Sequence, residues 1–475
     1  MTITADDIAG LVQKHYDELP LKRKPVLRGN GLREWVPLAG IVAQGENDEL
    51  WCLSLATGMK CLPVSKIPEA QGNILHDWHA EVLAVRAFNR FILEECRALT
   101  QGGSSKFLRR RTSEEIASSN NTDVDRGEGQ SEWHGQPFTW KEDVLLHMYC
   151  SEAPCGDASM ELIMASQEDA TPWALPPETP PSNSTTSSPT PTSPTTSLPG
   201  RAYFSQLGVV RRKPARSDAI PTLSKSCSDK LALHQVTSLL SSTTALLVDP
   251  SHVYLHSLVL PESRYSEAAC LRAFSSSPGG RMRSLANSTL GGGYAFHPFT
   301  AATTTSEFRF SQRSVNLELI VTEDAHGHDA KKKAAAGIAP SNLAVAWTSS
   351  GLVESTLGGV LQGRKQSAGV KGASFASRRE IWSLANNIAS SLSCSPIPEE
   401  PAARGVEGEE AEGNVEAIAD ISDVFEGIRK ALNSKTYGEM KASMLLEARR
   451  RAKEEARAEA LKGWVRNLGD ESFTL

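Results

Sequence analysis

The sequence predicts an α/β fold, a single core interrupted by long polar insertions. Three observations carry this reading. Strand-like apolar runs alternate along the chain with runs of helical periodicity. At 475 residues, 40% apolar and 22% charged, the chain can bury a sizeable core. The Ser/Thr/Pro-rich stretches lie between pieces of motif, not between separate motif sets, so one domain over residues 1–475 is expected.

Residues 5–18 place Ile8, Leu11, Val12 and Tyr16 at helical spacing. Two strand-like runs follow, WVPLAGIVAQ (35–44) and LWCLSLATG (50–58), joined by a Gly-Glu-Asn-Asp turn that signals a hairpin. From Asp77 to Leu99 the apolar positions Val82, Val85, Phe88 and Ile92 predict a helix. LLHMYCSE (145–152) reads as a buried strand, and PCGDASMELIMA as the helix after it. Past residue 230 come a helix, the strand HVYLHSLVL (252–260), further strands at FRFS and LAVAWTSSG, and a C-terminal helical part. Its run ASMLLEARRRAKEEARAEALKGWV is strongly helical by propensity. Disordered insertions are expected at 100–135, 166–200 and 395–420, where too little apolar surface is available to offset chain entropy.

Several classes are excluded. No stretch approaches 18 consecutive apolar residues, and MTITADDIAG lacks the layout of a signal peptide, so no membrane is expected. The eight cysteines show no framework spacing, which points to a reducing compartment, cytoplasmic or nuclear, with thiols free or on a metal. The net charge of −6 hides an uneven distribution. Residues 399–426 carry ten acids against Arg404 alone, so the rest of the chain is about +3. Lys22-Arg23-Lys24, Arg109-Arg110-Arg111, and Arg211-Arg212-Lys213 with Arg216 are the places where a polyanion would dock.

Three segments offer metal donors: His79 in HAE, Cys155 in SEAPCGDAS and Cys227 in SKSCSDK. A catalytic zinc takes three protein ligands and leaves one position open, and one His with two Cys meets that count. Each donor lies at an expected helix start, where the dipole favours thiolate, and Pro154 suits a first helical turn. Glu81, two residues past His79, would be the acid–base group. Singly each signal is weak, since an isolated H-x-E is usually a plain helix start and a lone Cys a small buried hydrophobe. Together they describe a metal site with its own proton carrier. The H-x-E and P-C-x-x-C signature of zinc nucleobase deaminases is nearly met, except that no cysteine follows Cys155 at the expected spacing. Cys227 would supply that ligand from seventy-two residues further on.

HAE, SEAPCGDAS and PTLSKSCSDKLAL together resemble the adenosine deaminases acting on RNA, in particular the tRNA-editing branch. The likeness extends to YDELPLKRKP…EWVPLAGIVAQ, ATGMKCLP, RRKPARSDAIPTLSKSCSDK and TYGEMK…GWV. It implies a cytidine-deaminase-like core, a mixed sheet with helices on both faces, elaborated by a C-terminal helical part. It further implies Zn²⁺ on His79, Cys155 and Cys227, with Glu81 carrying the proton as adenosine becomes inosine. The family also buries an inositol hexakisphosphate. Lys60, Arg86, Lys230, Tyr437, Lys441 and Trp464 line up with its contacts, with Arg364 or Lys365 as further candidates. Asp77 aligns with the aspartate that links the metal side to the polyphosphate through Lys230. The chain departs from that pattern at Leu233-His234, where the family has Arg-Trp, and at Val85, where a second Arg is common. His76, His234, His326 and His328 carry no partner spacing and read as ordinary histidines.

The resemblance implies deamination of tRNA, at adenosine 37 beside the anticodon of alanine tRNA, by a monomer with no DNA partner. Relatives that act on double-stranded RNA carry RNA-binding modules ahead of the deaminase pattern, which here begins close to the first residue; tRNA is therefore expected over double-stranded or messenger RNA. A catalytically inactive RNA-binding relative is the third reading; a structural zinc would be expected to close with a fourth ligand, and Glu81 argues against the reading because a dead site does not need it.

Overall fold

The computed structural model describes residues 3–121, 133–165, 198–199, 206–213, 220–323, 337–365, 369–392 and 411–475. Its centre is an eight-stranded mixed sheet. In chain order the strands are β1 (Leu38–Gln44), β2 (Leu50–Thr57), β3 (Leu145–Cys150), β4 (Leu255–Pro261), β5 (Thr300–Thr304), β6 (Leu343–Thr348), β7 (Val353–Leu357) and β8 (Val360–Leu361). In space they run β5-β4-β3-β1-β2-β6-β7-β8. The β3–β4 and β4–β5 pairs are parallel and the rest antiparallel.

The expected hairpin is β1–β2. Asp48 N–H donates to the Gly45 carbonyl at 3.1 Å, and Asp48 takes a positive φ of 58° to turn the chain. Pro37, which has no N–H to give a ladder, separates β1 from the short strand Arg33–Trp35, which pairs instead with Ile338–Pro340. The central strand β1 is buried along almost its whole length, as a continuous apolar run should be.

Helices cover both faces. Helix α1 (Ala5–Asp17) begins with a Thr4–Asp7 capping box and buries Ile8, Ala9, Val12 and Tyr16. These pack with Leu38, Val42, Leu55 and Tyr149, the side chains of one sheet face. The approach is close: a Cβ on Gly40 would lie 2.6 Å from Val12 Cγ1. On the other face lies α2 (Ala80–Thr100), whose Leu83, Ala84, Phe88, Phe91 and Ile92 meet Ala39, Ile41, Leu53 and Met148. Against α2 sit α3 (Cys227–Thr237) and, further along the chain, α5 (Arg378–Ser390); α4 (Glu267–Phe274) packs on α3, α6 (Ala411–Leu432) on α5, α7 (Tyr437–Ala442) on α6, and α8 (Glu447–Glu459) on α3.

Some expectations are corrected. FRFS forms a turn, not a strand: Phe308 is a buried anchor against Tyr16, and Ser311 then starts a helix. Of the insertion expected at 100–135, residues 108–110 form a strand paired with Phe138–Trp140, and Ser113–Asn121 is helical. Phe107, Leu108 and Ile116 are buried there and supply the apolar surface that tethers the segment. The range expected at 395–420 overlaps α6, which starts at Ala411. Residues 122–132, 166–197 and 393–410, with Arg216, His326 and His328, lie outside the described residues. The C-terminal run is three pieces, because the Ser443 hydroxyl caps a 3₁₀ turn at Met444–Leu446 between α7 and α8. Among the described residues no helix is long and apolar enough to cross a membrane.

Candidate active site

The site forms where β2 hands the chain to α2. Residues 58–62 lie against 76–80: Trp78 N–H donates to the Lys60 carbonyl at 3.0 Å and Ala80 N–H to that of Gly58 at 2.9 Å. Gly58 is required here, since its φ is +141° and a Cβ would meet the Trp78 oxygen at 2.1 Å. This places His79 as the N-cap of α2 and Glu81 in its first turn. Asp77 fixes the approach to the helix, its Oδ1 accepting the His79 N–H at 3.0 Å.

The structure brings together all three expected donors. One ligand atom each of His79, Cys155 and Cys227 lies within 4.8 Å of the others. Cys155 Sγ and His79 Nδ1 are 3.9 Å apart, and the Cys227 N–H points at Cys155 Sγ over 3.3 Å. Donors at such spacing fit around one tetrahedral ion with bonds of ~2.0–2.3 Å. Cys227 is the first residue of α3, as expected. Cys155 is not at a helix start: Gly156 takes φ +105° and a 3₁₀ turn begins only at Asp157. Its thiol instead borrows the free N–H of α3. Glu81, 7% exposed, is buried beside the cluster.

Electrostatics follow from this crowding. The Cys227 thiol donates to Cys155 and holds the latter's thiol well below its ordinary value, with Lys213 and His79 helping against burial. Burial and then Cys155 push Cys227 up. Burial and Lys213 work against charge on His79, but the Cys155 thiolate outweighs them and raises it to about 10. Burial, reinforced by Cys155, raises the Glu81 carboxyl.

Lys213, read from the sequence only as part of a basic run, is a central member. Buried at 6% exposure, its Nζ donates to Asp77 Oδ2 at 2.9 Å and to Cys227 Sγ at 3.2 Å. Asp77 also accepts from Ser224 Oγ at 2.5 Å and from Lys230. The expected Asp77–Lys230 link is therefore present, and Lys213 extends it to a candidate ligand. Cys61 lies near His79 and Asp77 too, but two ammonium groups already occupy that carboxylate.

Behind α2 and α3 is a two-lobed cavity. The larger lobe, ≈ 470 Å³, has ten Lys or Arg residues in its wall against Asp77, Glu454 and Glu471. Such an excess of cations fits a polyanion, because buried like charges without a counter-charge are costly. Burial and then Arg449, Lys441 and Arg457 drive the Lys453 ammonium well below its ordinary value. Of the expected contacts, Arg86, Lys230, Lys441, Trp464 and Asp77 line this lobe. Tyr437 borders the smaller lobe, ≈ 210 Å³, with Val85 and His234. His234 gives its ring to the Ser238 carbonyl at 2.7 Å, and burial lowers it to about 4. His76 is likewise buried and lowered to about 4, at the cavity edge beside Asp470.

Lys60 is elsewhere. It is exposed, bonded to Asn342, and absent from the cavity wall. In the extended segment neighbouring side chains point oppositely, and Cys61 takes the inward direction. Arg364 and Lys365 are also exposed and outside the cavity. Sequence reasoning missed Lys225, Arg378, Arg449, Arg450, Lys453 and Arg457, which the C-terminal helices and loops bring to the wall. The run RRAKEEAR carried the signal for α8, in which the cations recur three to four residues apart on one face.

A carboxylate buried beside a His/Cys/Cys donor cluster, with His79 and Cys227 at helix starts beside a mixed sheet, defines an enzyme of the nucleobase-deaminase class. The chain belongs to the family of the adenosine-deaminase (editase) domain, whose profile matches residues 54–468. It is 40% identical over 308 residues to "tRNA-specific adenosine deaminase 1" of Schizosaccharomyces pombe, covering 64% of this chain and 69% of that one. The protein of the same name from Saccharomyces cerevisiae is 33% identical over 267 residues, 54% of this chain and 58% of its own length. "Double-stranded RNA-specific editase Adar" of Drosophila melanogaster is 29% identical over 264 residues, 50% of this chain and 31% of its own.

Proposed function

We propose that this enzyme converts adenosine to inosine in tRNA, at adenosine 37 beside the anticodon of alanine tRNA, acting as a monomer. The donor cluster beside buried Glu81 supports the chemistry, and the higher identity to the two yeast tRNA-acting relatives than to the double-stranded-RNA editase supports the substrate. His79, Cys155 and Cys227 would hold Zn²⁺, which when bound supplies water acidified toward pKa ~7.

The chain's own groups do the rest. Glu81, buried and with its carboxyl raised by that burial, takes a proton as water adds to C6 of adenine. It returns that proton to the departing amino group, so ammonia leaves and inosine remains. Lys213 and the Cys227 N–H at the α3 N-terminus favour the anionic form of Cys155, and Lys213 also donates to Cys227 Sγ. An unpaired anticodon-loop base reaches the buried carboxylate at low unstacking cost. In the cationic cavity, inositol hexakisphosphate would be held by Arg86, Lys230, Lys441 and Trp464, with Lys225, Arg378 and Lys453, and would supply the missing negative charge.

The test is incubation of the purified enzyme with alanine tRNA, followed by sequencing for A-to-G change. Inosine at position 37 and nowhere else is expected. Zinc-loaded protein that makes no inosine in any tRNA would overturn the reading, and conversion of a duplex RNA instead would move it to the double-stranded class.

A further inference from the structure

Two buried aspartates occupy equivalent places in the two cysteine segments. Asp157 stands two residues after Cys155, and Asp229 two after Cys227. Both are 0% exposed. Each meets an arginine from one short stretch of chain. Arg272, in α4, sends its Nε to both Asp157 oxygens at 3.2 and 3.1 Å and its Nη2 to the Asp157 carbonyl at 3.0 Å. Arg281 sends Nη1 to Asp229 Oδ1 at 2.6 Å and Nη2 to the Ser228 carbonyl at 3.1 Å.

The two arginines are tied to one another. The Arg281 N–H donates to the Arg272 carbonyl at 3.0 Å, and Arg281 Nε to that of Ala273 at 2.8 Å. The return of the chain from α4 depends on Gly280, where a Cβ would lie 2.0 Å from the Ser275 oxygen. Residues 267–281 are thus a rigid strut with one guanidinium on each cysteine segment. The segments also meet directly, through Ser228 N–H to the Cys155 carbonyl at 3.0 Å and Ser228 Oγ to that of Pro154 at 2.9 Å.

A buried ion pair is a poor way to add stability, because desolvation consumes much of the Coulombic gain. Two such pairs, each at the same offset from a candidate ligand, answer a different need. A thiolate site must be held to within ~0.5 Å of its working geometry by groups behind the ligands. Arginine suits this because its planar fork fixes direction as well as distance and keeps its charge when buried. We infer that Arg272 and Arg281 are positioning residues that set the Cys155–Cys227 spacing and so the affinity for zinc; the inference rests on the zinc reading of that donor cluster.

The test uses the full chain with R272M, R281M, the double variant, and the charge-keeping R272K and R281K. Zinc affinity is read by competition with a chromophoric chelator, and unfolding midpoints are taken for zinc-free and zinc-loaded protein. Each Met variant should weaken zinc binding by ~10–100-fold, the scale found for groups that orient metal ligands. The rise in midpoint on zinc loading should shrink, and the double variant should lose less than the product of the single losses, because one strut is being cut twice. Lys variants should fall between, and they decide the matter where Met variants do not fold. Parent-like zinc affinity in folded variants, with both midpoints lowered equally, would overturn the inference and leave a purely structural role. A parent that takes up no zinc would overturn the metal reading itself, and the inference with it.

Discussion

Glu81 sits in the first turn of α2, 7% exposed, where burial and the Cys155 thiolate favour its protonated form. Glu81→Gln keeps the size but cannot carry a proton. Inosine formation should fall by ~10²–10⁴-fold, the scale of a lost general acid–base group, with zinc content by metal analysis unchanged. Substantial activity in that variant would remove Glu81 from the mechanism. Lys213 shows the other side of single-residue reading. In the sequence it closes a basic run, yet it is 6% exposed between Asp77 and Cys227. Arg211 beside it is 1% exposed, Arg109 pairs with Glu115, and Arg111 donates to the carbonyls of His134 and Gln136. Of those basic runs Lys24, Arg211 and Lys213 are interior, so part of what reads as a polyanion dock is buried structure.

At the scale of elements, the local signals that survived were those with a mechanism confined to a few residues. Apolar runs found β1, β2, β3, β4 and β6, and the spacing of Val82, Val85, Phe88 and Ile92 found α2, because each pattern reports local burial. What failed depended on distant partners. β5 pairs in parallel with β4 forty residues away and carries only Thr and Ala. FRFS has strand-like residues but spends Phe308 on Tyr16. Cys155 was placed at a helix start because Pro154 suits one; the helix that serves it is α3, seventy-two residues on, by way of the Cys227 N–H. The three donors were legible because the residue types themselves carry the chemistry, whereas the cavity wall was not, because its cations come from six separate segments that only packing unites. The Cys155 loop makes a testable case. Gly156 has φ +105°, and a Cβ there would lie 2.3 Å from Ser226 Oγ, the N-cap of α3. Gly156→Ala should destabilise the protein by ~1–3 kcal/mol from backbone strain alone, in denaturant unfolding, and also weaken zinc retention on dialysis. Unaltered stability and zinc content would mean that the loop relaxes freely and does not fix Cys155.

For the whole molecule the cationic cavity is the main unresolved charge, since the α2–α3 wall and the C-terminal helices are held face to face across ten Lys or Arg side chains. Lys225 reports on it. Burial first, then Lys230 and Arg457, lower its ammonium from 10.5 to about 7. A bound polyanion would reverse the repulsion and restore the charge. The sign follows from proton counting. Between pH about 7 and 10.5 the unfolded chain holds a proton at Lys225 that the anion-free folded protein lacks, so stability contributed by this group rises with pH in that window. The polyanion complex keeps the proton, so its stability lacks that rise, and the gain on binding shrinks as pH climbs. Inositol hexakisphosphate at about 100 times its dissociation constant should stabilise the protein by ~2.7 kcal/mol. In thermal unfolding with and without it, the ligand-induced shift should be largest near pH 7 and decline toward pH 10. In Lys225→Met the same shift should be smaller at pH 7 and should vary less with pH, which separates the protein's lysine from titration of the phosphates. A shift in the parent that is absent, or that grows with pH, would mean the cavity does not hold a polyanion, and the C-terminal helices would then need another reason to present ten cations to the back of α2 and α3.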